Sequence, residues 1–205
     1  MISAEQKFDA IELLIADLQV AKNSAQSIAL IENINLQLED VQAYHYFGVK
    51  SYGRNLIFSC DEFEVILMCW RPGQRSVAHD HNGSLCVMKC LAGTLDEQRF
   101  HKSAGAITPI GKYQLASGST ASITDEQGIH SIGNESLENA CSMHFYFPPI
   151  HHSNLYDLDN AQPRPVQSAF TSEYGIILDS AVESRSKHKL LMPLENQKIF
   201  SSPIR

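Results

Sequence analysis

The chain has 205 residues, 43% of them hydrophobic and 19% charged, with a formal net charge of −7 and a pI near 5.7. That length suits one domain with its own core. A mildly acidic chain without a Lys/Arg block has no electrostatic reason to bind nucleic acid, and no stretch approaches the roughly 18 apolar residues of a membrane helix.

The N-terminal run MISAEQKFDAIELL lacks the basic start and continuous apolar stretch of a signal peptide. Ser3 and Gln6 have capping-box spacing, and Phe8, Ile11, Leu14, Ile15 and Leu18 then recur at helical spacing. A second helical pattern follows Ser24, with Ile28, Leu30, Ile31 and Ile34. Both helices are expected to cover the mouth or flank of the main domain. From Tyr52 the texture changes to short β-rich runs: Tyr52–Ser59, Phe63–Trp70, Leu85–Leu91, Thr94–Phe100, Ala121–Thr124 and Ala140–Phe147. Turn residues separate them at Arg71-Pro72-Gly73, Asn82-Gly83, Ala92-Gly93, Pro109-Ile110-Gly111 and Ser117-Gly118. Many short strands at this spacing predict an all-β sandwich or barrel. Beyond Pro149 regularity fades, and Pro163 and Pro165 suggest loop or edge structure. The division is residues 1–50 as a helical segment packed on the barrel, 51–180 as the barrel and 181–205 as a polar tail, one domain in all.

The cysteines are Cys60, Cys69, Cys86, Cys90 and Cys141, an odd number without a CxxC. This argues against a secreted disulfide framework or a cysteine-rich zinc site and points to a reducing cytoplasm. Most are expected to be small core residues.

Of nine histidines, three stand out. His79 and His81 form H-x-H in a β-like stretch, where i and i+2 share a face and two imidazoles can converge on one ion. The spacing Gly73-x5-His79-x-His81-x4-Cys86-x6-Gly93 resembles the first cupin motif, with Cys86 where that family usually carries a ligating Glu. His130 with Asn134 resembles part of the second cupin motif, without its preceding Pro and Gly. The expected site is three neutral imidazoles, with positions left open on an octahedral ion as in non-haem Fe(II) oxygenases. A site that keeps its +2 charge favours an anionic donor such as a thiolate.

Further segments narrow the resemblance. The runs HDHNGSLCVMKCLAGTL (from His79) and SMHFYFPP (from Ser142), with Tyr52-Gly53-Arg54-Asn55-Leu56, Cys69-Trp70 and Gly128-Ile129-His130, resemble the cysteine dioxygenase family. The similarity runs from about Tyr52 to Gly175. It implies a cupin jelly-roll barrel and Fe(II) held by His79, His81 and His130. The implied reaction is oxidation of L-cysteine by O2 to cysteine sulfinic acid. The same resemblance assigns carboxylate recognition to Arg54, whose planar guanidinium suits a carboxylate bidentately. It places Tyr52 and Tyr146 at the pocket edge and makes Ser142, His144 and Tyr146 a relay along one strand face. Cys86 matches a cysteine that forms a thioether with the residue at Tyr146 in animal members.

A close rival is a dioxygenase of another small thiol, 3-mercaptopropionate. Those enzymes carry their carboxylate-binding Arg later, where this chain has Leu155, and have Gln near position 54; Arg164 is out of that register. A non-catalytic metal-binding cupin sensor would need the histidines without Arg54 or the Ser142–His144–Tyr146 trio. His151-His152 is expected on a surface loop, Trp70 in the core or pocket wall, and His45, His101 and His188 show no partner pattern. The protein is expected to act as a monomer, without nucleic acid or membrane.

Overall fold

The computed structural model describes residues 10–103, 105–159 and 161–178. The expected Ser3–Gln6 cap, Phe8, His188 and the 181–205 tail lie outside the described residues.

Helix α1 (Ala10–Val20) buries Ile11, Leu14, Ile15 and Leu18, one stripe at helical spacing. Helix α2 (Ser24–Asn33) starts at Asn23, whose side chain accepts the Gln26 amide at 3.0 Å. A 3-10 segment, Leu38–Tyr44, leads to the barrel.

Among the described residues thirteen strands follow: β1 Gly53–Ser59, β2 Glu64–Trp70, β3 Ala78–His79, β4 Leu85–Ala92, β5 Thr94–Ser103, β6 Ala106–Ala116, β7 Thr120–Ile123, β8 Ile129–Gly133, β9 Ala140–Phe147, β10 His152–Tyr156, β11 Pro163–Gln167, β12 Ser172–Glu173 and β13 Ile176–Ile177. They form two sheets, ordered β13-β12-β1-β2-β9-β4-β7 and β11-β10-β3-β8-β5-β6. This is the jelly-roll arrangement of a cupin barrel.

The central strands β2 and β9 are buried along almost their whole length, and alternation explains why. Their even-numbered residues (Ile66, Met68 and Trp70; Ala140 and Tyr146) join Leu56, Cys86, Met88, Leu95 and Ile132 in a core between the sheets. Their odd-numbered residues (Val65, Leu67 and Cys69; Cys141, Met143 and Phe145) pack under the α1 and α2 stripes. Of the two expected placements, the helices therefore occupy the flank. Lys89 of β4, itself buried, donates to the Glu32 carbonyl at the C-terminal turn of α2 at 3.0 Å and satisfies one of the carbonyls a helix leaves open.

Two expectations change. Pro109-Ile110-Gly111 was expected as a break but lies inside β6. Arg99 pairs with Gly111 and Phe100 with Pro109, so the exposed Ile110 is the extra residue of a bulge, and Pro109 is tolerated beside it because β6 is the edge strand of its sheet. After Pro149 the chain is more regular than expected, adding β10 to β13, with the Pro-flanked β11 at the edge of its sheet. The Ala92-Gly93 break is a tight link between β4 and β5. Gly93 has φ 74°, and a Cβ there would meet Ala140 Cβ at 2.9 Å, so only glycine fits.

Candidate metal centre

His79 ends β3, His81 lies two residues on, and His130 sits in β8 directly opposite His79. The H-x-H pair is thus not on one continuous strand, yet the three rings converge, with centroids 4.8 to 5.2 Å apart. One ligand atom from each lies within 4.8 Å of the others. Asp80, between the pair, points away: its carboxylate accepts the Asn154 amide, the Asn154 side chain and the Tyr156 hydroxyl at 2.8, 2.9 and 2.7 Å. That anchorage fixes the backbone on which both histidines ride.

Outer partners orient the rings. His79 Nδ1 is 2.9 Å from the Val77 carbonyl, and His130 Nδ1 is 2.8 Å from Glu97 Oε1. Both acceptors call for an Nδ1–H, which leaves Nε2 with its lone pair toward the centre. His81 has both ring nitrogens buried without a partner, while its backbone N–H donates to Asp125 at 2.8 Å. Buried nitrogens without a partner are costly, and a metal ion is what this donor set fits. Burial first, then the neighbouring imidazoles, holds His81 and His130 well below the usual histidine range; burial also lowers His79. All three are neutral, as ligands must be.

Arg54 of β1 supplies the opposite feature. Its Nε and Nη2 are buried and donate to no acceptor of the chain, and its guanidinium lies 5.7 Å from the Phe170 ring centre. Its positive charge is felt at His79, His81 and His144, where it helps to depress their basicity. The guanidinium is attracted to Tyr146, Tyr52 and Glu64, and its two unbonded, buried nitrogens beside three open imidazoles are a place for a carboxylate.

Ser142, His144 and Tyr146, expected as a relay, lie in one chain of hydrogen-bonding contacts. Trp70 Nε1–H donates to Ser142 Oγ at 3.0 Å; Ser142 Oγ is 2.9 Å from His144 Nε2, and His144 Nδ1 is 3.4 Å from the Tyr146 hydroxyl. Because Trp70 can only donate, Ser142 donates its own hydroxyl hydrogen bond to His144 Nε2. The imidazole, kept neutral by burial, then carries hydrogen on Nδ1 and donates to the Tyr146 oxygen. The tyrosine proton is left free to point elsewhere. Burial holds Tyr146 well above the usual phenol range, so it remains protonated, with its ring 5.9 Å from that of His81. Tyr52 stacks on Trp70, centroids 4.2 Å apart. Cys86 and Tyr146 are directly paired residues of β4 and β9.

Sequence reading missed several contributors. Glu97, fully buried and ion-paired with Arg99 at 3.0 Å, supports His130. Glu64 is paired with Tyr146 across β2 and β9, accepts the Ile150 amide at 3.0 Å, and has its pKa raised by burial. Trp70 heads the relay as well as filling the wall. His45, expected without a partner, lies 3.2 Å from Cys141 Sγ. His151 and His152 are exposed, though His152 begins β10. Arg164 is exposed on β11, opposite Leu155, which itself pairs with His79.

The family model for cysteine dioxygenase type I matches residues 3–159. Cysteine dioxygenase type 1 of Danio rerio is 32% identical over 152 residues, covering 71% of this chain and 76% of that protein. The Homo sapiens protein of the same name is 32% identical over 138 residues, covering 65% and 69%. Among solved structures, a protein with a double-stranded β-helix domain from Klebsiella pneumoniae aligns with TM-score 0.42 and 19% identity over 62% of this chain and 95% of that one.

Proposed function

The chain belongs to the cysteine dioxygenase type I family, and from that premise we propose how its own residues divide the work of the reaction. It is a cysteine dioxygenase: L-cysteine and O2 combine, and both oxygen atoms are added to sulfur to give cysteine sulfinic acid.

His79, His81 and His130 are the ligands, and Fe(II) is the ion. Bound there, iron supplies a binding position for the substrate thiolate and the activation of O2. The site is otherwise prepared by the chain. Arg54 takes the substrate carboxylate through its two buried, unpartnered nitrogens, fixing the end of the molecule remote from sulfur. Tyr146, held as a neutral phenol and supplied with a hydrogen bond by His144, keeps its own proton available as a donor at the pocket. Ser142 and Trp70 fix the tautomer of His144 from behind. Tyr52 packs against Trp70 and closes the flank.

One observation carries the assignment of cysteine: Arg54 beside the three-histidine cluster keeps two buried guanidinium nitrogens without a hydrogen-bond partner. A metal-binding sensor has no use for that charge, and leaving two donors buried and unbonded is costly. Among the described residues no late arginine of the kind expected of a 3-mercaptopropionate enzyme lies at the site, with Leu155 opposite His79 and Arg164 exposed on the edge. Comparing kcat/KM for cysteine, cysteamine and 3-mercaptopropionate tests this; a clear win for 3-mercaptopropionate overturns the role given to Arg54.

We further propose a thioether between Cys86 Sγ and the Tyr146 ring, supported by their direct pairing on the barrel's inner face. We propose that the chain is a single domain, since the helices share a core with the barrel, and that it acts as a monomer. Five thiols in an odd set fit a reducing cytoplasm.

A further inference from the structure

A second cluster of metal-binding side chains lies on the opposite face of the same central strands. Cys69 of β2 and Cys141 of β9 are directly paired, and both point outward, beneath the N-terminal segment rather than into the barrel. Their sulfurs are 3.9 Å apart. His45, just past the 3-10 segment, brings Nε2 to 3.2 Å from Cys141 Sγ. One donor atom from each of the three lies within 4.8 Å of the others. From this geometry we propose that His45, Cys69 and Cys141 form a second metal site for a thiolate-seeking divalent cation, Zn(II).

The spacing supports it. Zinc binds sulfur at about 2.3 Å and imidazole nitrogen at about 2.0–2.1 Å, so a tetrahedral ion holds its donors roughly 3.5–3.8 Å apart. The observed separations bracket that range, and an ion fits with small side-chain rotations and no shift of the strands. Two sulfurs and one imidazole select zinc over harder ions such as Mg(II) or Ca(II). Two thiolates also neutralise the ion's charge, as a buried site requires. Both cysteines are fully buried and His45 is half-exposed, so the ion enters from the His45 side and keeps its fourth position toward solvent. The site joins three elements: the N-terminal segment through His45, β2 through Cys69 and β9 through Cys141. Its effect is to clip that segment to the barrel. Asn55, which donates to the Tyr46 carbonyl at 2.9 Å and lies 3.6 Å from Cys69 Sγ, ties the same corner.

The test uses iron-loaded enzyme, reduced and kept anaerobic, titrated with Co(II) as a spectroscopic stand-in for zinc. The expected result is a thiolate-to-cobalt charge-transfer band that saturates at one added equivalent while iron stays bound, and that Zn(II) abolishes. The three-histidine centre offers no thiolate from its ligands and does not give that band. Cys69→Ser and Cys141→Ser each remove it. His45→Ala, at a half-exposed position where folding is not at stake, weakens cobalt binding by at least about tenfold. Added Zn(II) also raises the Tm of the iron-loaded wild type and not of His45→Ala. Absence of the band overturns the site. So does a band that survives both cysteine substitutions, or an affinity unchanged by His45→Ala.

Discussion

Cys86 and Tyr146 face each other across neighbouring strands, paired in register and pointing into the same core. The thioether proposed for this pair is a carbon–sulfur bond formed with loss of one hydrogen from each partner, the two hydrogens and two electrons passing to O2 to give H2O2. After aerobic turnover with cysteine, the intact mass is expected to fall by two hydrogens, and Cys86→Ala to abolish the change. An unmodified mass after prolonged turnover contradicts the pairing's proposed chemistry.

Glu97 reaches the metal only through His130, at 2.8 Å. Glu97→Ala frees the imidazole to rotate and to change tautomer. Iron affinity is expected to fall roughly 10- to 100-fold, and Glu97→Gln, which accepts the same hydrogen bond without the charge, recovers part of it. Equilibrium iron binding under anaerobic conditions measures both. Equal affinity in all three proteins removes Glu97 from the site.

Ser142 is completely buried between Trp70 and His144. Ser142→Ala leaves one buried donor and one buried acceptor unpaired and is expected to cost about 1–3 kcal/mol of stability. It also releases the tautomer of His144, so the pH profile of kcat shifts while KM for cysteine changes little. A stability loss with an unmoved pH profile assigns Ser142 a packing role only.

In the iron-free protein, His79, His81, His130 and His144 all have folded pKa values below the ordinary 6.5, chiefly through burial. The unfolded chain therefore binds more protons than the folded one below that pH. Stability is fully present above about pH 6.5 and is lost as pH falls toward the depressed folded values. Urea midpoints of the iron-free protein between pH 7.5 and 5 are expected to decline; a flat or rising midpoint contradicts neutral histidines.

Much of the site was legible because the chemistry sits at regular spacings. His79 and His81 two apart, and Ser142, His144 and Tyr146 alternating on one strand, could be read from order along the chain, while Arg54 came from the family resemblance of its run. Glu97 was less visible, although a signal existed: it alternates with Leu95 on the inward face of β5, where an acid needs a buried partner. Arrangements made by folding alone left no trace. The bulge at Ile110 hides a strand behind Pro and Gly, and His45 meets Cys141 across 96 positions. The helices' placement on the flank depended on β2 and β9 being apolar on both faces, a pattern that reads equally as any buried strand.

The most direct measurement is anaerobic Fe(II) loading followed by an oxygen-electrode assay with cysteine, on the wild type and Arg54→Ala. The wild type is expected to consume O2 in proportion to cysteine and to form the sulfinic acid. Arg54→Ala is expected to keep its iron and lose about 10- to 100-fold in kcat/KM, the worth of a charge-assisted hydrogen bond to a carboxylate. Cysteine-dependent O2 uptake undiminished in Arg54→Ala, or absent from iron-loaded wild type, contradicts the site described.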